Sequence, residues 1–230
     1  MQTLNWLKRN WLQSAILVIP FIVIAAYWGK FPERVVVQWN DSGPSKWEDK
    51  FPGLLVCPFV SVALAIVFGW IPRLDPRLTR YPEWSERTVG FIRRASTTLV
   101  SAGSMLIAAE ALGHHFNVPL LSLNVMLLTF LVLGNYIGTF RPNYFIGIRT
   151  PWTLENDDVW RATHRNIGPI LVMGSLAFLV LQCFLAPRHV ATGFLAFVAV
   201  VFAWSFLYSY LLFRSFKSAA SLPPDASSST

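Results

Sequence analysis

The sequence has few charged residues and few cysteines. Asp, Glu, Lys and Arg make up 13% of the 230 residues, whereas an ordinary soluble domain has about 25%. The two cysteines, Cys57 and Cys183, are too few for a disulfide-stapled scaffold and form no C-x-x-C pair. P-loop, G-x-S-x-G and H-E-x-x-H patterns are lacking as well. These absences argue against a typical soluble enzyme.

Hydrophobic residues are abundant instead, at 54% of the chain. Six membrane-spanning helices of roughly 20 residues would use about 120 such positions, which this composition supplies. It also excludes a disordered chain. The apolar runs lie at residues 11–29, 52–72, 95–112, 118–140, 168–186 and 189–213. We therefore predict an all-α fold, a polytopic membrane helix bundle with about six transmembrane helices, in the cell membrane.

The net charge of +7 has two possible explanations: nucleic-acid binding, or the enrichment of Lys and Arg in the cytoplasmic loops of a membrane protein. If the N-terminus is cytoplasmic, 14 of the 19 Lys and Arg residues fall on the inner side of the six runs. Because inner loops are enriched in Lys and Arg, this asymmetry predicts that both termini are cytoplasmic. We expect membrane lipids, and not nucleic acid, to be the partners of these charges.

Loop lengths divide the chain into three predicted regions. Residues 1–94 form an N-terminal membrane hairpin with a structured outer loop at 30–51. Residues 95–213 form a four-helix membrane region with a cytoplasmic loop at 141–167. Residues 214–230, which are rich in Ser and Pro near the end, form a disordered tail. Both loops exceed what a helix hairpin needs, and we expect function there.

The outer loop combines a β-branched run at residues 35–37 with a turn sequence, Asp-Ser-Gly-Pro, at 41–44. This pattern predicts a short strand followed by a turn. Trp39 and Trp47 are amphipathic side chains suited to the headgroup level. Two interpretations remain open, an interfacial loop without a ligand and a surface that meets an extracellular peptide. The candidate residues are Trp39, Asn40 and Gly43.

The inner loop begins with a turn made rigid by Pro and Gly, followed by a helical pattern. Thr153 is a candidate N-cap, with Asp157 and Asp158 in the first turns, where carboxylates favour the positive helix end. The i,i+4 spacing of Asp157 and Arg161 supports the helix. We predict a short amphipathic cytoplasmic helix running toward the fifth span. Seating on anionic lipids is the alternative to a specific role.

Between residues 134 and 165 the types and spacings form a dense pattern. It starts with Gly-Asn-Tyr at 134–136, continues with Arg-Pro-Asn-Tyr-Phe-Ile-Gly-Ile-Arg-Thr-Pro-Trp-Thr-Leu at 141–154, and ends with Val-Trp-Arg at 159–161 and Thr-His-Arg at 163–165. This pattern resembles the SdpI-type immunity protein family. The candidate binding residues in it are Asn135, Asn143, Gly147, Arg149, Thr150, Pro151, Trp152, Thr153, Trp160, His164 and Arg165.

The N-terminal half resembles the small membrane domain that often precedes this family's pattern. Gln38 stands where that domain usually has His, and Val36 stands where it has a second Pro, which argues against a proton or metal role. The resemblance implies a bacterial integral membrane protein that protects its cell from a secreted peptide toxin. Signalling through the cytoplasmic face is also implied, and catalysis is not.

Titratable residues fall into two sets on opposite sides of the predicted membrane. Glu110, His114 and His115 belong to the outer set, and Asp157, Asp158 and His164 to the inner set. Because the sets cannot converge, we expect no catalytic residues, no metal site and no cofactor. Glu110 and His114 would meet at i,i+4 if their helix continued. Asn124 and Asn135 share a helix face, and we expect Asn135 to accept a hydrogen bond from Arg149.

Three functional hypotheses follow. The first is an immunity protein whose outer face meets a secreted peptide toxin. The second is a sensor that recruits a soluble cytoplasmic regulator through its inner loop. The third is a small transporter or channel, which requires a polar path through the helices.

Overall fold

The computed structural model describes residues 2–40 and 43–220, with side chains for residues 11–40 and 43–218. Asp41 and Ser42 of the predicted turn, and the tail after residue 220, lie outside the described residues. The elements in chain order are α1 (Gln2–Ala26), β1 (Arg34–Asn40), β2 (Gly43–Asp49), α2 (Lys50–Leu74), α3 (Pro82–Ala111), α4 (Val118–Ile137), α5 (Pro151–Glu155), α6 (Asp157–Leu181) and α7 (Pro187–Ala220).

The predicted fold class is confirmed, since the described chain is mostly helical and its helices coincide with the apolar runs. Four described helices are long and apolar enough to cross a membrane, namely Lys50–Leu74, Val118–Ile137, Asp157–Leu181 and Pro187–Ser218. The apolar part of α1, Trp11–Ala26, is shorter. α3 covers the third run, the most polar of the six. The cytoplasmic position of the termini stays a prediction.

The chain divides into two compact units, residues 1–125 and 126–230, and the boundary falls within α4. In the first unit, polar side chains join α1, α2 and α3. Nε2 of Gln13 donates to Oγ1 of Thr97 at 2.7 Å, and the hydroxyl of Ser61 lies 2.9 Å from that of Ser101. Away from water such groups need partners. These bonds therefore tie the three helices together.

The outer loop forms an antiparallel two-stranded hairpin, β1 with β2. Its anchor is Val35, which is buried with Ile24, Phe31 and Leu54. Gly53 makes room for that side chain, because a β-carbon there would lie 2.3 Å from Cγ2 of Val35. The predicted strand is thus present, paired with a second strand, and it packs on the ends of α1, α2 and α3.

α3 ends at Ala111 in a glycine-capped turn. Gly113 has a φ of +94°, its N–H donates to the carbonyl of Glu110, and the N–H of His114 donates to the carbonyl of Ala109. This hydrogen-bond pattern terminates helices where glycine adopts a positive φ. The expected i,i+4 pair of Glu110 and His114 was therefore wrong. Glu110 instead lies 3.6 Å from His115 and accepts from the N–H of Phe116.

In the second unit, α6 and α7 pack through rings seated on glycines. A β-carbon on Gly174 would meet the ring of Phe197, and one on Gly193 would lie 3.1 Å from the ring of Phe178. The ring of Phe194 is fully buried among neighbouring aromatic rings. Nε1 of Trp204 donates to Oδ1 of Asn166 at 3.0 Å. Close packing and one polar tie therefore hold this helix pair.

Two boundaries differ from the expectations. The predicted cytoplasmic helix is not separate from the fifth span, because α6 runs without a break from Asp157 to Leu181. α7 continues to Ala220, so residues 214–220, assigned above to the disordered tail, are helical. Both extensions have the same cause: polar, helix-compatible residues adjoin an apolar run, and a helix does not end where hydropathy falls unless a capping residue or proline stops it.

Candidate functional site

The signature loop, residues 141–150, is organised by the buried side chain of Asn143. Its Nδ2 donates to the carbonyls of Arg141 and Ile146, both at 2.9 Å. Its Oδ1 accepts from the N–H groups of Phe145 and Ile146. One amide thus satisfies four backbone groups in a segment without regular structure, as buried backbone requires. This accounts for an Asn at this position of the pattern.

Gly147 brings the loop onto the start of α6. Its φ is +114°, and a β-carbon there would lie 2.5 Å from Nε2 of His164 and 3.2 Å from the ring of Trp160. The next residue, Ile148, donates its N–H to Nε2 of His164 at 2.9 Å. Nδ1 of His164 lies 2.8 Å from the carbonyl oxygen of Trp160. Only glycine permits this approach.

Trp160 is the largest fully buried side chain of the site. Its Nε1 donates to the carbonyl of Phe140 at 2.8 Å. This bond holds the chain segment after α4 against α6. Its ring stacks on the imidazole of His164, with centroids 4.2 Å apart and 20° between the planes. Trp160 and His164 therefore form one rigid wall against which the loop is folded.

A hydroxyl network begins α5 and ties it to α7. The Thr150 hydroxyl accepts from the N–H of Thr153, and Oγ1 of Thr153 accepts from the N–H of Thr150, forming a reciprocal capping box. Thr150 Oγ1 also lies 3.0 Å from Oγ of Ser209. Ser209 donates its own proton to the carbonyl of Phe206. Thr150 and Ser209 are thus joined through their hydroxyls, and either oxygen can be the donor.

The expected N-cap at Thr153 was wrong. Thr150 caps α5, with Pro151 at its first position, where proline's missing N–H costs nothing. Asn156 caps α6, accepting from the N–H groups of Asp158 and Val159. Thr153 is instead the third residue of α5 and is fully buried. Thr150 and Thr153 both carry a hydroxyl that suits an N-cap, so the sequence pattern supports either residue. The structure distinguishes them, because α5 begins directly after Thr150.

Trp152 packs α5 onto α7. Its ring lies 4.8 Å from that of Phe206 and 5.0 Å from that of Tyr210, measured between centroids. Edge-on aromatic pairs of this kind add about 0.5–1.5 kcal/mol beyond the burial of area. Together with the bond from Thr150 to Ser209, this contact fixes the five-residue helix, which would not be stable alone.

Among the candidate residues with polar side chains, Asn135, Arg149 and Arg165 are exposed. Nη1 of Arg149 donates to the carbonyl of Tyr144 at 2.7 Å. The expected bond from Arg149 to Asn135 was therefore wrong, because the guanidinium turns back along its own loop. Arg161 forms an ion pair with Asp158, three residues before it on α6. Arg149 is therefore exposed on a loop that hydrogen bonds hold in place.

Of the outer-loop candidates, Trp39 is half-buried, Asn40 is exposed, and Gly43 has a φ of +110° at the start of β2. Exposed aromatic residues nearby include Trp28, Trp47 and Phe51. Lys46 lies 2.7 Å from Glu48, and its hydrogen bond and charge lower the pKa of that carboxyl. The hairpin therefore carries both aromatic and charged side chains.

Metal binding has no support in the described part of the chain, where no group of three His, Cys, Asp or Glu side chains converges. Glu110 and His115 are only two such residues. The side chains of Asn143 and Arg149 bond to the backbone of the signature loop itself. Chemically, the site is a hydrogen-bonded structural element with exposed guanidinium groups, that of Arg149 among them.

The sequence reasoning missed the contact between α4 and α6 beside this loop. A β-carbon on Gly134 would lie 2.9 Å from the carbonyl oxygen of Gly168, and one on Gly168 would lie 2.7 Å from that of Gly134. Gly138, one turn along α4, faces the backbone of Arg165. The G-x-x-x-G spacing of 134 and 138 is the signal that would have found this close helix crossing.

Comparison with known proteins agrees with the pattern. Residues 139–209 match the SdpI/YfhL protein family, a range that runs from just before the signature loop to Ser209. Residues 15–62 match a domain of unknown function (DUF1648), which includes the hairpin and its anchor. The chain is similar to the immunity protein SdpI of Bacillus subtilis (strain 168), with 23% identity over 213 residues, which cover 90% of this chain and 97% of that protein. No solved structure matches.

The matched range includes Trp160 and His164, whose rings stack, and Thr150 and Ser209, whose hydroxyls lie 3.0 Å apart. The four long apolar helices make the protein a multi-pass protein of the cell membrane. The predicted resemblance is therefore confirmed: residues 139–209 match the SdpI/YfhL protein family and residues 15–62 match the DUF1648 domain.

Proposed function

We propose that this protein protects the cell whose membrane it occupies from a secreted peptide toxin. The observation that carries the proposal is the similarity to an immunity protein over 97% of that protein's length. The similarity includes both the hairpin and the signature loop, so it is not confined to a shared membrane anchor. An immunity role needs recognition or exclusion of a peptide and requires no catalytic group.

The hairpin is the surface that we expect to meet the peptide. Its fold is held by the buried Val35, while Trp47 is 49% and Phe51 is 63% exposed. Lys50 lies over the ring of Trp28, 5.0 Å from its centroid. Aromatic side chains beside charges at a membrane surface bind amphipathic segments well, because the ring offers area at low entropic cost. In the predicted topology this end is extracellular.

Survival in co-culture tests the proposal. A Bacillus subtilis strain lacking its own SdpI would carry this chain or an empty vector and grow beside its unmodified parent. We expect the chain to raise survival, with protein detected in the membrane fraction. A panel of other membrane-active peptides widens the test. Survival equal to that of the empty vector in every case, with the protein in the membrane, would contradict the proposal.

Two variants then distinguish a role of the hairpin from a role of the signature loop. Trp47→Ala removes an exposed hairpin ring, and Arg149→Ala removes the outward guanidinium of the signature loop. If the hairpin meets the peptide, Trp47→Ala lowers survival and Arg149→Ala does not. Phe184→Ala, at a side chain that is 78% exposed elsewhere, is the matched control for loss of a surface ring. Equal survival of Trp47→Ala and wild type would remove the hairpin from the mechanism.

A second candidate function, recruitment of a soluble regulator, is favoured by the exposed face of the signature loop. Tyr144 is 42% and Phe145 is 41% exposed, beside Arg149, on a loop fixed by Asn143. Exposed aromatics next to an arginine are typical of interaction surfaces. Crosslinking in intact cells followed by pull-down tests this. Loss of a soluble partner in Arg149→Ala, with the protein still in the membrane, would support recruitment; retrieval of no soluble protein by wild type would contradict it.

A further inference from the structure

The first unit contains a pocket of about 880 Å³ where the end of α2 meets the start of α3. This end lies away from the hairpin, because the hairpin precedes α2 and contacts the last turns of α3. In the predicted topology it is at the cytoplasmic surface. None of its lining residues belongs to the hairpin or to the signature loop. The pocket is therefore distinct from both the hairpin and the signature loop.

Arginines dominate the polar part of the pocket wall. Arg73 comes from the last turn of α2, and Arg87, Arg93 and Arg94 come from α3. Glu83 and Glu86 also line the pocket, so the wall keeps a formal excess of positive charge. The two carboxylates offset part of the mutual repulsion of the four guanidinium groups, and an anion in the pocket would offset the rest.

Two glycines adjoin guanidinium groups of the pocket wall at ordinary contact distances. A β-carbon on Gly69 would lie 3.7 Å from Nη1 of Arg93, and one on Gly90 would lie 3.4 Å from Nη1 of Arg94. The guanidinium groups of Arg93 and Arg94 therefore lie against the helix backbone, and the apolar wall of the pocket includes Phe68.

Two buried polar atoms at the pocket have no hydrogen-bond partner within the described ranges: Oγ of Ser85 and Nε of Arg93. Ser85 is 98% buried, since its relative exposure is 2%. A buried donor without an acceptor costs free energy, and native structures rarely leave one unpaired. A ligand rich in acceptor oxygens would satisfy the hydroxyl and the guanidinium together.

We propose that this pocket binds a phosphate group. Phosphate offers several acceptor oxygens and a negative charge, and arginine recognises it by paired, charge-assisted hydrogen bonds. Arg93 and Arg94 hold the anion from α3, Arg73 closes it from α2, and Ser85 donates its hydroxyl proton. The group comes either from an anionic phospholipid of the adjacent leaflet or from a free phosphate compound. This site is independent of the proposed immunity function.

Titration of the full chain in a neutral detergent, at constant ionic strength, tests the site. Inorganic phosphate is one probe and a short-chain phosphatidylglycerol is the other, with the matching phosphatidylcholine as neutral control. We expect saturable binding of at least one anionic probe by calorimetry, together with a rise in the melting temperature. Binding of phosphate assigns a free ligand, whereas binding of the anionic lipid alone assigns a headgroup site.

Variants place the binding in the pocket. Arg93→Gln should weaken binding at least about tenfold, because a charge-assisted bond is lost. Arg214→Gln removes one exposed charge of α7 and should leave binding unchanged. If Arg93→Gln does not fold, Arg87→Gln and Ser85→Ala replace it, each expected to weaken binding several-fold. Absence of saturable binding, or equal weakening by Arg214→Gln, would overturn the proposal.

Discussion

The backbone N–H of Ile148 donates a hydrogen bond of 2.9 Å to Nε2 of the buried His164. The other ring nitrogen, Nδ1, faces the carbonyl of Trp160, which can only accept. His164 must therefore be neutral with its proton on Nδ1, since an imidazolium has no acceptor nitrogen for Ile148. One ring thus joins the signature loop to α6.

Substitution of His164 tests the role of this ring. His164→Phe keeps an aromatic ring against Trp160 but leaves the N–H of Ile148 without its acceptor. We expect a loss of about 1–3 kcal/mol in the free energy of unfolding and faster proteolysis of residues 141–150. Chemical denaturation in detergent measures the first effect. His114→Phe, at an exposed histidine, should change stability by less than about 0.5 kcal/mol; a similar loss in both variants would contradict the assignment.

Gly147→Ala separates backbone strain from steric contact. Gly147 and Gly113 have similar positive φ angles, +114° and +94°, but only Gly147 has neighbours within 4 Å of a β-carbon. Alanine at either position carries a strain of about 1–3 kcal/mol. Gly147→Ala should be clearly more destabilising than Gly113→Ala in thermal unfolding. If the two variants melt alike, the close approach to His164 does not matter for stability.

The crossing of α4 and α6 predicts opposite effects for helical glycines. Gly134→Ala and Gly168→Ala each place a methyl group against the other helix's carbonyl and should destabilise by about 1–3 kcal/mol. Gly103, within α3, has open space around a β-carbon. Gly103→Ala should therefore stabilise by up to about 1 kcal/mol through helix propensity. Melting temperatures shifting in the same direction for all three would contradict the tight crossing.

The last prediction tests the hydroxyl network of α5. Thr150→Val removes the capping oxygen and the hydrogen bond between Thr150 and Ser209, and we expect a loss of about 1–2 kcal/mol. Thr150→Ser retains the hydroxyl and is the matched control, with most of the stability kept. Hydrogen exchange at the N–H of Thr153 reports the cap directly. Protection of that amide in Thr150→Val equal to wild type would show that another group caps the helix.

The sequence predicted well what depends on local composition. The apolar runs coincide with helices, and the β-branched run at 35–37 lies in a strand. The sequence predictions were wrong where a contact depends on the course of the backbone. The partner of Glu110 depends on a glycine turn after Ala111, and the cap of α5 is Thr150 because Pro151 starts the helix.

By itself the sequence determined a multi-pass membrane protein of mostly helical fold and its family resemblance, because hydropathy and fixed residue types are properties of the chain alone. Only the tertiary structure decided that Ile148 meets His164, that Thr150 meets Ser209, and that arginines of α2 and α3 line one pocket. These pairs are distant in sequence, and their meeting depends on where glycines let helices and loops approach, a matter of packing that no local spacing rule contains.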